Sequence, residues 1–436
     1  MDLVIRSSRV VLPDGTVAPA SVVVRDGRIA AVAFDALAAD VDLGDLVLMP
    51  GLVDTHVHVN EPGRTEWEGF ATATRAALAG GVTTIVDMPL NSLPPTVSAA
   101  ALTEKRAAAA GQCHVDVGFW GGAIPGNAGD LADLHAAGVF GFKAFLADSG
   151  VPEFPPLTPA SLRAAMAAVS ALFVVHAEDP ARLRSAPPSR HYADFMGSRP
   201  GAAECAAVEA ALDAAEATGS RVHILHVSDA AAAGVVAAGR ARGVRVTAET
   251  CPHYLTLDAA EIPDGATEFK CCPPIRGAAN RDALWSALAD GAVDIVVSDH
   301  SPSPPELKQG DFGSAWGGIA SLQLGLPLVW TGALARGHGI ADVVRWMSTG
   351  PADLVGLAGK GRIAVGADAD LVAFDPSATF TVDPAALHHR HPVSPYAGRL
   401  LTGVARRVWL GGAEVSPADP PRGRLLRRAA DLMEAR

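Results

Sequence analysis

The stretch Asp54-Thr-His-Val-His58 carries two histidines separated by one residue. In a strand, alternation sends both imidazoles to the same face, where they can reach one metal ion. The stretch Val139-Phe-Gly-Phe-Lys-Ala-Phe-Leu146 raises a different question, because Lys143 sits among aromatic and aliphatic residues that belong in a buried strand. Burying an unpaired ammonium costs several kcal/mol or drives off its proton, so Lys143 needs a partner or altered chemistry. Three further groups close apolar runs: His176 after LFVV, His226 after RVHIL and Asp299 after VDIVVS. Taken singly, each has a structural explanation. A strand-end histidine is more often a hydrogen-bonded scaffold residue than a ligand, and Asp299 in Ser-Asp-His-Ser could cap a helix. Four histidines, a lysine and an aspartate on five strand ends argue together for a metal centre.

Those residues need a frame that gathers strand ends. From Gly51 onward, short apolar runs alternate with alanine-rich segments of helical period, the pattern of repeated βα units and a parallel sheet. The strand candidates are LVLMPGLVDTHVHV, VTTIVDMP, HVDVGFWGG, VFGFKAFL, LFVVHAED, RVHILHVS, RVTAETCPHYL and VDIVVSDHS. Between them lie helical stretches such as WEGFATATRAALAG and PASLRAAMAAVSA. The fold class read from this is α/β, a (β/α)8 TIM-type barrel over residues 50–356, with its active site at the C-terminal ends of the strands. Residues 1–49 and 357–436 return to alternating β patterns, broken by turn signals at Pro13-Asp14-Gly15 and Asp26-Gly27. The two chain ends are expected to build one small β-sandwich domain. The proline-rich pieces PPLTP, SPSPPELK and HPVSPYAG read as loops, some of them on the rim.

Composition removes several classes of function. The 436 residues are 49% hydrophobic and 5% aromatic with a formal charge of -12, so no basic surface is available for nucleic acid. Five cysteines without paired spacing give no disulfide framework, and the expectation is a reducing cytoplasm. The N-terminal MDLVIRSSRVVLPDG lacks the basic and apolar regions of a signal peptide. The apolar segment from Leu322 to Ala335 contains Pro327 and falls short of the ~20 residues a bilayer span requires. No membrane partner is expected.

The motifs GLVDTHVHVNEPG, GVTTIVDMP, GFKAFL, VHAED, HILHVS, AETCPHYL, CCPPIR and VVSDHSP are similar, in order and spacing, to the cyclic amidohydrolases of the amidohydrolase superfamily. The resemblance covers nearly the whole chain and implies an answer for Lys143: carbon dioxide carboxylates its side-chain nitrogen, turning a buried cation into a bridging carbamate anion. It implies two divalent ions. His56, His58, Lys143 and Asp299 would hold the more buried one, and Lys143, His176 and His226 the other. Zinc is the expected metal, although the same ligands suit cobalt, manganese or iron. Such a pair generates hydroxide near neutral pH and polarises the ring carbonyl. Asp299 would take the proton of the attacking hydroxide and pass it to the departing amide nitrogen. Asn60, His253, Cys272 (through its backbone) and Gly317 are the implied substrate contacts, while Asn91 either caps a loop or touches ligand.

Departures from the family pattern narrow the substrate. Dihydroorotases carry an arginine for the substrate carboxylate two residues beyond the second histidine, where this chain has Asn60. Dihydropyrimidinases and hydantoinases carry a tyrosine shortly after the carboxylated lysine, where this chain has Asp148-Ser149-Gly150. The segments NEPGRTEWEGF, ADSGVPEFPPL, SDHSPSPPELK and SAWGGI resemble instead the members that open a neutral five-membered cyclic ureide. The resemblance also implies a homotetramer. A non-enzymatic scaffold relative is the reading of another class, and such relatives lack several of the ligands present here.

Overall fold

Alternating apolar residues at the N-terminus pair into hairpins as their turn signals require. The computed structural model describes residues 3–35 and 37–428. Strands β1 (Leu3–Val11), β2 (Val17–Arg25) and β3 (Arg28–Ala33) form an antiparallel meander, followed by β4 (Val41–Asp42) and β5 (Val47–Pro50). The β2–β3 turn places both Asp26 and Gly27 at positive φ, the geometry that a two-residue hairpin matching strand twist demands.

The barrel strands follow: β6 (Leu52–Val57), β7 (Val82–Asp87), β8 (Asp116–Phe119) with β9 (Gly121–Gly122), β10 (Phe142–Phe145), β11 (Leu172–His176), β12 (Arg221–Ile224), β13 (Val246–Thr250) and β14 (Ile295–Val296). Neighbours run parallel throughout. β8 and β9 are halves of one barrel strand interrupted at Trp120, so the eight expected strands are all present. These strands are buried along nearly their whole length because helices cover one face and packed side chains fill the other. The ring closes where Val57 bridges to His300 and the His58 amide donates to the His300 carbonyl at 2.8 Å. That closure carries the last strand end, with Asp299, to the first, with His56 and His58.

The chain ends meet as expected. β15 (Leu371–Thr381), β16 (Leu400–Leu410) and β17 (Ala413–Val415) continue the N-terminal strands in the order β17-β16-β15-β5-β1-β2-β3. This small β-sandwich has its own core of Ile5, Val22, Ile29, Leu48, Leu371 and Trp409. Lys360 joins it to the barrel. Its buried ammonium lies 2.7 Å from Asp116 on β8, 3.0 Å from Asp368, and against Asp370. Arg424 adds bonds to Asp116 and Asp368, and its carbonyl accepts from the Val117 amide. Burial alone would raise the Asp116 carboxyl, but Lys360 and Arg424 hold it below its ordinary value. Replacing Lys360 with methionine is expected to lower stability by about 3–5 kcal/mol, because buried carboxylates lose their counter-charge. The shift of the urea midpoint reads this, and a loss no larger than the ~1 kcal/mol of an exposed pair would contradict it.

Two local expectations fail. RVTAETCPHYL is not one strand: β13 stops at Thr250, and Pro252–Thr256 is a short helix. Proline cannot donate to the sheet ladder but suits the first helical turn. The regular strand in VDIVVSDHS is only Ile295–Val296, and Asp299 sits at φ 44 without a helix to cap.

Candidate metal centre and active site

The six strand-end residues converge at one end of the barrel. His56 is fully buried and His58 nearly so. Their Nε2 atoms lie 3.1 and 3.6 Å from Asp299 Oδ1. Ring centroids are 5.4 Å apart for His56 and His226, and 4.7 Å for His176 and His226. His176 Nδ1 faces His226 Nε2 at 3.0 Å. Lys143 is 1% exposed, and its ammonium lies 4.7 Å from the centre of the Phe145 ring.

The donor set fits divalent metal on its own chemistry. Ligand atoms of His56, His226 and Asp299 all lie within 4.8 Å of one another. His56 Nε2 and His226 Nδ1 are buried without a hydrogen-bond partner, which leaves imidazole lone pairs with nothing to satisfy them. Burial pushes the imidazoles of His56, His58 and His226 down, His58 to about 3, with the Lys143 charge adding to each, so they are neutral and able to ligate. Burial lowers the Lys143 ammonium, opposed by Asp299 and Glu249, and raises the Asp299 carboxyl, opposed by Lys143.

Outer contacts fix the orientation of each ring. His56 Nδ1 bonds Glu249, whose second oxygen meets His223 Nε2 at 3.0 Å. His176 Nε2 bonds Glu178 at 2.8 Å, and the Arg199 guanidinium forks onto the same carboxylate. Burial would raise Glu178, but His176 and Arg199 hold it down at about 2. His58 Nδ1 contacts the Leu90 carbonyl at 3.2 Å. Asp54 accepts from the amides of His56 and Ser298, tying the first and last strand ends together. Asn60, His226 and Asp299 all have positive φ, a conformation costly for residues other than glycine that surrounding contacts must hold.

A cavity of about 330 Å³ opens beside this cluster, with His58, Lys143, His176, His226 and Asp299 on its wall. Residues 47–415 match the amidohydrolase family. The chain belongs to that family. It is 58% identical to the allantoinase of Streptomyces avermitilis over 98% of this chain and 99% of that one. It is 43% identical to the allantoinase of Arabidopsis thaliana, covering 94% and 87%. Among solved structures, the L-hydantoinase (dihydropyrimidinase) of Arthrobacter aurescens superposes with a TM-score of 0.92 at 30% identity, covering 98% of this chain and 100% of that one.

The substrate contacts expected of this amidohydrolase divide into two groups. Cys272, Gly317 and Asn91 line the cavity, as do Asp148, Ser149 and Gly150. Asn60 and His253 do not, and both are fully buried. Asn60 stands behind Asn91, accepting from its Nδ2 at 3.0 Å and donating to the Pro302 carbonyl at 3.4 Å. Residues that sequence reasoning passed over do much of the positioning. Arg64 bonds the Asn91 carbonyl at 2.6 Å, and Glu68 lies 3.5 Å from His300 Nε2, so NEPGRTEWEGF braces the site. Lys270 and Lys308 donate to the carbonyls of Ala315 and Trp316, pinning the loop that carries Gly317. Glu249 was detectable in principle, as a carboxylate inside a strand that the barrel buries, although its partner was not; Arg199 had no local signal.

Proposed function

We propose that this amidohydrolase opens the hydantoin ring of allantoin by hydrolysis to give allantoate. The observation that carries the reading is the convergence of His58, Lys143, His176, His226 and Asp299 on one cavity, with His56 buried behind them against His226 and Asp299, in a chain 58% identical to an allantoinase. His56, His58 and Asp299 would hold one ion, His176 and His226 the other, and carboxylated Lys143 would bridge them. Burial supports that modification, because it favours the neutral amine whose lone pair forms the N–C bond to carbon dioxide with loss of one proton. Zinc suits these ligands. When bound, the ions lower the pKa of water and polarise the scissile carbonyl.

The protein's own groups do the rest. Asp299 Oδ takes up a proton as the nucleophile adds and returns it to the departing ring nitrogen, which prevents the ring from closing again. Its burial, which raises the carboxyl, suits a group that must carry a proton in mid-cycle. Asn91, the Cys272 backbone and Gly317 contact the ureide, and Asn60 acts through Asn91 rather than by touching it. Position 60, which stands behind Asn91, carries no arginine for a substrate carboxylate. The five cysteines are free, in keeping with a reducing cytoplasm, and among the described residues no helix is long and apolar enough to cross a membrane. A homotetramer is part of the proposal and is read from the mass in solution.

Assaying allantoin, hydantoin, dihydrouracil and dihydroorotate side by side tests the reading, with allantoin expected to have the highest kcat/KM. A higher value for dihydroorotate or dihydrouracil would overturn the substrate while leaving the chemistry in place. Asn60→Arg is expected to lower kcat/KM for allantoin by ~10–100-fold, since it removes the support of Asn91 from a fully buried position. Little dihydroorotate activity should appear, because an arginine there starts behind the cavity wall. Allantoin turnover at the parent level in this variant would show that Asn91 needs no such support.

A further inference from the structure

His253 is an anomaly in an otherwise well-bonded interior. Its ring is fully buried, and neither nitrogen has a hydrogen-bond partner. A buried polar group without a partner is costly, so two on one ring call for a physical explanation. The local chain supplies one. β13 ends at Thr250, Cys251 precedes the short helix that Pro252 begins, and His253 lies in its first turn. One ligand atom each from Cys251, His253 and Asp299 lies within 4.8 Å of the other two. Burial holds the imidazole neutral, with its pKa at about 3, so a lone pair is available.

We propose that Cys251, His253 and Asp299 form a further metal position, sharing Asp299 with the four-histidine centre, that takes zinc when zinc is in excess. A thiolate with an imidazole favours Zn2+ or Co2+ over Mn2+ or Mg2+. On binding, the Cys251 S–H bond breaks, its proton passes to solvent, and the sulfur electron pair forms the metal–sulfur bond; no group is oxidised or reduced. Cys251 is fully buried beside Asp299. The main centre offers more ligands, so this position is occupied only after that centre is filled. Because it recruits the Asp299 carboxylate, occupancy stops turnover. That consequence rests on the role given to Asp299 under the proposed function, whereas the ligation rests on geometry alone.

The holoenzyme, its main centre loaded with cobalt, is titrated with further Co2+ and followed in the near ultraviolet. One more equivalent should bind with a thiolate-to-cobalt charge-transfer band that Cys251→Ser and Cys251→Ala both lack and that Cys272→Ser retains. In parallel, excess Zn2+ should inhibit the wild type and Mn2+ should not. Cys251→Ser, with normal turnover at stoichiometric metal, should need at least ~10-fold more zinc for the same inhibition. Absence of the band in the wild type overturns the proposal, as does equal extra uptake in the serine variant or loss of the band in Cys272→Ser. The band reads the site whatever ring the enzyme opens, so failure of the allantoin assignment is told apart from failure of this one.

Discussion

Alanine at position 143 is expected to abolish turnover, by about a thousandfold or more, equivalent to about 4 kcal/mol of transition-state stabilisation. Lys143 is 1% exposed, and among the described residues its ammonium makes no salt bridge; it lies over the Phe145 ring, shares the cavity wall with three of the histidines, and feels the charges of Asp299 and Glu249. A lysine kept there only for packing would be a poor choice, since burial disfavours its charge. Conversion to a carbamate accounts for both the burial and the neighbours. The alanine variant should therefore bind less than the full complement of divalent metal, and short carboxylic acids such as acetate or propionate should restore part of the activity by supplying a bridge. Lys143→Met serves as a control for folding: compared as metal-free proteins it replaces a buried amine by an apolar side chain, so its stability should match or exceed the parent's while its activity is lost. Two tightly held metal ions per chain together with parental turnover in the alanine variant would end this account.

Asp299→Asn should lose ~10²–10⁴-fold in kcat, the usual contribution of a positioned acid–base group, with a further loss from weaker metal ligation. Its fold should survive. Asp299 lies at the closure of the barrel, but that closure is made by the His58 amide with the His300 carbonyl and by Asp54 with the amides of His56 and Ser298. None of these bonds involves the Asp299 side chain. The thermal midpoint of the variant should thus stay near the parent's while bound metal and turnover fall. Turnover within a few-fold of the parent at neutral pH would show that the proton travels by another route.

Much of this architecture was legible in the chain itself. Apolar runs alternating with helical periods are local consequences of burial, which is why the eight strands, though not where the seventh and eighth end, and the pairing of the two termini could be placed in advance. His56 and His58 share a face because strand alternation is a local geometric rule. Lys143 declared itself because a cation among phenylalanines conflicts with its surroundings. The quoted motifs carried the family. Other features depend on contacts that no local pattern records. Glu249 orients His56 from 193 residues away, and Asp54 reaches Ser298 across 244. Such distances are bridged only when the barrel closes. Asn60, His226 and Asp299 have left-handed backbones, and although asparagine, aspartate and histidine tolerate that region better than other side chains, most residues of these types do not adopt it, so identity alone did not mark these three. Asn60 turned away from the cavity to hold Asn91, and His253 turned in behind the wall beside Cys251, because chain direction at a strand end is set by the neighbours it must pack against. Residue types and order determined the fold and the candidate ligand set; which side chains reach the cavity and which brace it from behind was decided only by tertiary packing.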